Sequence, residues 1–249
     1  MRLAVDAGNT RIKWSIAGGA PQALEYRSQD PDVLLATAWK HLPRPRSVHV
    51  ACVAREAVRE AIERQIAGLW PGVPVVFLAS RAECGGVRIA YARPERFGVD
   101  RLAALVAAHV EAGGAAAVVV DAGTAVTVDA MDSHGTHLGG LIMPGLRLLR
   151  QGLNLGTAGV RADLSVKVGF AGETALQAST EAGVDAGTRC MFVGGVLRAI
   201  DQACAEAGPG ARVYLTGGDA GLIVGSLARP HVLRPALVLE GVARMAAGE

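Results

Sequence analysis

Aromatic residues are scarce in this chain of 249 residues, at 4% of the total. That scarcity argues against stacking platforms of the kind that hold single-stranded nucleic acid. Charge is in short supply too: charged residues make up 19%, and the net charge is only +2. A balance so close to neutral gives no field to recruit nucleic acid. The four cysteines, at 52, 84, 190 and 204, are scattered without Cys-x-x-Cys spacing, so neither a zinc site nor a disulfide framework is expected. No apolar run approaches the ~20 residues that cross a membrane. The apolar run before Asp6 is only three residues, Leu3 to Val5, which is no signal peptide. A soluble cytoplasmic protein with no nucleic-acid and no membrane partner is the expectation. The Walker pattern GxxxxGK[ST] and the dinucleotide pattern GxGxxG are both missing, so any nucleotide is handled by another scheme.

What is plentiful is apolar and glycine content, with 51% hydrophobic residues and 32 glycines. This is a folded globular chain, long enough for one large domain or two of ordinary size. It spells Val-Asp-Ala-Gly twice, at 5–8 within VDAGNTRIKWSI and at 120–123 within VDAGTAVTVDA. A short apolar run precedes each copy, and an alternating stretch follows it: Ile12, Trp14 and Ile16 in one, Val126 and Val128 in the other. Alternation of that kind marks a strand with one buried face. Asp-x-Gly between two strands marks a tight hairpin. A single such turn is unremarkable; two copies near half-chain spacing suggest two halves of related architecture. Successive N–H groups around such a turn form an anion-binding nest. Asp6 and Asp121 then make sense if a cation accompanies the anion, since Mg²⁺ takes one or two carboxylates plus substrate phosphates.

Further along, helices are expected over 31–42, 56–69 and 98–113, and strands over 48–53 and 73–78. The Gly113-Gly114 pair is the candidate boundary, giving domains 1–113 and 114–249. The second half reads as strands from 116 to 142, a Gly-rich turn at GGLIMPG, helices to about 207, a strand entering TGGDAG, and a final helix from about Leu237. Strands alternating with helices indicate an α/β class. Two such domains in series imply a cleft for a small ligand.

The segments DAGNT at 6–10, DAGTA at 121–125 and TGGDA at 216–220 resemble the two phosphate motifs and the adenosine motif of the acetate and sugar kinase/Hsp70/actin superfamily. Within it the chain resembles the type III pantothenate kinases. The pieces that narrow it are Tyr91 seven residues before GVDR at 98–101, HLGGLIMPG at 137–145, and Thr180 seven residues before Gly187. The resemblance implies two tandem actin-like (ribonuclease H-like) α/β domains with a nucleotide cleft between them. It implies ATP-dependent phosphorylation of pantothenate to 4'-phosphopantothenate, the opening step of coenzyme A synthesis, by a homodimer. By the same resemblance, Asp6, Ala7, Gly8, Asn9, Thr10, Arg11, Ile12 and Lys13, with Thr124, contact ATP, and Mg²⁺ accompanies it. Asp121 holds a monovalent cation, K⁺ or NH₄⁺. Tyr91, Gly98, Val99, Asp100 and Arg101 form the pantothenate pocket, with Asp100 as catalytic base and Thr180 entering from the neighbouring subunit. Ser179 stands where relatives often have Asn, and TAGVRADL at 157–164 lacks their usual proline.

Each of these residues also has a bland role open to it. Asp100 and Thr180 fall at expected helix starts, where such residues cap. Tyr91 can be packing, and Lys13 can point to solvent. Arg101 fits either a substrate carboxylate, gripped bidentately, or a structural ion pair. His137 reads as structural. The rival function is a non-catalytic nucleotide-binding regulator, a transcriptional accessory factor on the same scaffold. The presence of Asp6, Asp100, Asp121 and Thr180 together argues for the kinase.

Overall fold

The computed structural model describes residues 1–16, 19–27, 29–160, 162 and 176–248. Of the 157–164 stretch, residues 161, 163 and 164 lie outside it, as does the run from 165 to 175. The chain divides into two compact units, each containing one five-stranded sheet.

The first unit opens with β1 (Arg2–Ala7), β2 (Arg11–Ile16) and β3 (Gln22–Glu25), then α1 (Pro31–Trp39), β4 (Ser47–Cys52), α2 (Glu56–Leu69) and β5 (Val75–Phe77). A two-stranded ribbon, β6 (Glu83–Cys84) with β7 (Val87–Arg88), leads through a 3₁₀ turn at Pro94–Arg96 into α3 (Val99–Ala112). The second unit holds β8 (Ala117–Ala122), β9 (Ala125–Met131), β10 (His137–Pro144), α4 (Leu146–Gly156), α5 (Thr180–Ala207), β11 (Arg212–Thr216), α6 (Gly221–Val224) and β12 (His231–Leu233). Last comes α7 (Leu237–Met245).

The sheet orders are β3-β2-β1-β4-β5 and β10-β9-β8-β11-β12. Each is therefore the same arrangement of its unit's first to fifth strands. The first strand is central in both, antiparallel to the second and parallel to the fourth. Covered on both faces, β1 and β8 read as nearly continuous apolar runs, as central strands do. On one face of the first sheet, Leu3, Val5 and Ala7 join α1 and α2 in a core that also holds Trp14, Tyr26, Trp39 and Trp70. Val118, Val120 and Ala122 do the same beneath α5 in the second. Helix α2 forms because Val58, Ala61, Ile62 and Ile66 recur at helical spacing and are buried together.

The first unit comprises residues up to Gly114, the short piece Ser133–His137, and everything from Ala236 onward. A single division at 113/114 misses this return of the chain. Helix α7 packs on α3 and against β1 and β4. The helices approach so closely that a Cβ on Gly241 would overlap the Ala103 backbone. A second departure concerns GGLIMPG. Its first six residues are strand, part of β10, with Gly139 at φ +141°; Gly145 is already the N-cap of α4. No helix among the described residues is long and apolar enough to cross a membrane.

Candidate active site

Asp6 and Asp121 are each the last residue but one of a central strand. They lie at the carboxyl ends of the parallel strands, where open α/β sheets bind ligands. In the first unit the turn after the strand closes by a hydrogen bond from the Gly8 N–H to the Arg11 carbonyl at 3.0 Å. In the second, the Gly123 N–H reaches the Ala125 carbonyl, also at 3.0 Å. The residue after the third strand then completes each turn. Tyr26 N–H donates to the Thr10 carbonyl at 3.1 Å, and Gly145 N–H donates to the Thr124 carbonyl at 3.0 Å. Thr10 and Thr124 are thus equivalent positions, and Asn9 is an extra residue of the first turn.

The surroundings of the two carboxylates differ. Asp6 is buried, and Lys13, its cross-strand partner, places Nζ 3.8 Å away. The cross-strand partner of Asp121 is Thr127, a neutral residue. On its other side Asp121 is in register with Thr216, whose hydroxyl is fully buried without a hydrogen-bond partner among the described residues. The TGGDA segment abuts this second turn: Asp219 N–H donates to the Ala122 carbonyl at 2.9 Å, and Gly217 adopts φ +93°. A Cβ there would overlap the Ala122 backbone, so only glycine permits the approach.

Among the described residues, no three His, Cys, Asp or Glu side chains converge as a cation site. One carboxylate at each turn instead suits an ion that brings its remaining ligands with it. Mg²⁺ carried by phosphates is of that kind, and the donor set fits it. The turn geometry fits a phosphate as well. Gly145 lies where any Cβ would overlap the Gly123 and Thr124 carbonyls, which keeps that backbone bare.

Around α3, the structure brings four of the sequence-selected residues together. Gly98 is the N-cap of the helix, in non-helical backbone and without a side-chain cap. Asp100 lies in the first turn, where its Oδ1 accepts the Arg101 N–H at 2.8 Å. The capping position therefore belongs to Gly98, and the helix N-terminus favours negative charge on the Asp100 carboxylate. Arg101 is 93% buried, an unusual place for a guanidinium. Its Nη1 donates to the Tyr91 hydroxyl at 3.1 Å, and its Cζ lies 4.3 Å from the Phe97 ring centre and 5.8 Å from that of Tyr91. His137 packs edge-on to Phe97 with ring centres 5.0 Å apart. Phe97 was not among the candidates, although it directly precedes GVDR. Tyr26 was not either, and nothing in its local sequence marks it.

Thr180 is the first residue of α5, and its exposed position is separate from the capping role. Ser179 caps the helix, accepting the Ala182 N–H at 3.2 Å. Burial raises the thiol pKa of Cys52 and Cys204, so neither is a ready nucleophile.

A family model described as type III pantothenate kinase matches residues 2–202. The type III pantothenate kinase of Halorhodospira halophila is 38% identical over 252 aligned residues, covering 97% of this chain and 96% of that one. Its namesake in Nitrosococcus oceani is 36% identical, with coverage of 99% and 94%. Among solved structures, an archaeal actin homolog superposes at TM-score 0.52 with 11% identity, over 99% of each chain. That likeness concerns the fold alone, and it places the two like-ordered sheets in the tandem actin-like architecture. With one family model running through both Asp-Ala-Gly turns and relatives matching nearly end to end, the chain belongs to the type III pantothenate kinase family.

Proposed function

We propose that this chain transfers the γ-phosphoryl group of ATP to the primary hydroxyl of pantothenate, forming 4'-phosphopantothenate in the first step of coenzyme A biosynthesis. The observation that carries the reading is the recurrence of Asp-Ala-Gly at one position of two like-ordered sheets, inside a family match that spans both. Phosphoryl transfer of this kind has a loose transition state, so the protein chiefly positions groups and offsets charge. Backbone N–H groups of the turns after Asp6 and Asp121 bind the phosphates, and Lys13 adds a positive charge beside the first. Mg²⁺, bound through the phosphates, and a K⁺ or NH₄⁺ ion at Asp121 supply further positive charge. Tyr91 and Arg101 hold the substrate, the guanidinium suiting its carboxylate. Asp100 accepts the hydroxyl proton as the new oxygen–phosphorus bond forms and the bond to the β-phosphate bridge breaks.

The working unit is a cytoplasmic homodimer in which Thr180 reaches the partner's substrate pocket. Exposed apolar side chains in the second unit support it: Leu138, Leu141 and Ile142 on the edge strand β10, Leu148 and Leu155 on α4, and Met191 on α5. A partner subunit would give such side chains cover. Light scattering tests it, since a mass equal to the 25.6 kDa chain removes the shared pocket.

A coupled assay of ADP release with and without pantothenate tests the reaction. Release should depend on pantothenate; substrate-independent turnover points to an ATPase instead. Asp100→Asn keeps size and hydrogen bonding but cannot take the proton. It should lower kcat by ~10²-fold, the lower end for general-base help, with ATP affinity and melting temperature near those of the parent. A variant keeping more than about a third of kcat takes Asp100 out of the chemistry.

A further inference from the structure

The first turn needs something to hold its shape, and the residue that does so lies outside the turn. Tyr26 follows β3 and touches the turn twice. Its N–H donates to the Thr10 carbonyl at 3.1 Å, continuing the β2–β3 ladder one step beyond the Arg11–Glu25 pair. Any residue but proline makes that bond. Its phenol hydroxyl donates to the Gly8 carbonyl at 2.7 Å, and that bond needs tyrosine.

A trans peptide is planar, with its C=O and the following N–H directed oppositely, and no described peptide bond is cis. Holding the Gly8 carbonyl toward Tyr26 therefore aims the Asn9 N–H away from the ring, at the exposed tip of the turn. The ring is itself fixed. It is 2% exposed and belongs to the same core as Trp14 and Trp39, so the first unit's core sets where the hydroxyl lies. Burial also raises the hydroxyl's pKa, with Arg55 opposing in part, which keeps it a donor through the neutral range. Donors aimed before an anion arrives bind it better than donors that must be ordered by it. The second turn has no counterpart: the same position there is Gly145, which offers only its backbone N–H.

We propose that Tyr26 is a positioning residue for the nucleotide, its hydroxyl locking the Gly8–Asn9 peptide so that the first turn is pre-aimed at a polyphosphate. The idea rests on the ATP-dependent reading above. Tyr26→Phe removes one oxygen and leaves the ring in the core. With Mg²⁺ present, the KM for ATP and the calorimetric Kd for ADP should both rise about two- to tenfold, the range of one neutral hydrogen bond. The KM for pantothenate should stay within twofold of the parent value. An unchanged ADP Kd, even beside a lowered melting temperature, means the ring only fills the core, and it overturns the proposal. Equal rises in both KM values show a general loosening and overturn it as well. Should the parent protein bind ADP yet show no pantothenate-dependent ADP release, the assigned reaction fails. The ADP comparison between parent and Tyr26→Phe then still decides the role of Tyr26.

Discussion

Between β1 and β2 the chain turns through Gly8, Asn9 and Thr10; between β8 and β9 it turns through Gly123 and Thr124. The longer turn is braced by the buried ring of Tyr26, and the shorter one closes directly on the backbone of Gly145. Opposite Asp6 stands Lys13; opposite Asp121 stands Thr127. Four identical residues, Val-Asp-Ala-Gly, thus sit in two different electrostatic settings. A carboxylate with an ammonium group beside it has much of its charge offset locally and suits a site that also receives phosphate. At the other turn the cross-strand position, Thr127, adds no charge of its own. The repeat supplies the geometry, and under the proposed function the residues around it divide the work.

The largest expected effect comes from exchanging what fills the shared position. Tyr26→Ala empties a buried site and should lower unfolding stability by about 3–5 kcal/mol, as other large aromatic truncations do. Gly145→Ala adds one carbon where there is no room and should cost about 1–3 kcal/mol. Urea denaturation measures both. If Gly145→Ala is as stable as the parent, the second turn is not closed against that residue and the contrast fails.

Cation dependence gives the next effect. Activity should need K⁺ or NH₄⁺, with Na⁺ a poor substitute. Asp121→Asn should abolish that preference and lower activity about tenfold or more, in line with ~1.5–3 kcal/mol for one charged contact. Asp6→Asn should lose activity and keep the K⁺ preference in what remains. The same loss of preference in both variants would show that the two carboxylates are not divided as described.

The smallest effect concerns hydroxyls. Thr124→Ala should raise the KM for ATP by the ~0.5–1.5 kcal/mol of a neutral hydrogen bond, with the pantothenate KM unchanged. Thr10→Ala occupies the equivalent position and sharpens the comparison. Equal shifts in the two variants mean both turns grip the nucleotide through that hydroxyl; a shift in one alone identifies which does.

Much of this was legible in the sequence because it is local. The helix over 56–69 announced itself through Val58, Ala61, Ile62 and Ile66, and the two hairpins through their alternation after glycine. What stayed hidden depends on edges and on distance. Strand β3 reads Gln-Ala-Leu-Glu and is mostly exposed, so no alternation marks it; with β3 unread, Tyr26 had no visible connection to the turn 16 residues before it. Strand β10 reads as a turn from its glycines because an edge strand with exposed residues loses the usual apolar signature. Asp100 and Thr180 stand at helix starts as the sequence suggests, but the capping positions there belong to their neighbours Gly98 and Ser179. The resemblance already joins Tyr91 to Arg101; what no spacing rule reaches is His137, which packs on Phe97 beside them from another segment.

The return of α7 to the first unit has a consequence for how the protein is made. A growing chain releases β1 and β4 early, yet the helix that packs on them begins only at Leu237. Chains elongate at ~5–20 residues per second, so that face of the sheet waits on the order of ten seconds or more for its cover. The second unit's sheet is completed by β12, which ends at Leu233 just ahead of α7, so α7 serves the first unit alone. A premature stop that removed only α7 would therefore damage the beginning of this protein more than its end.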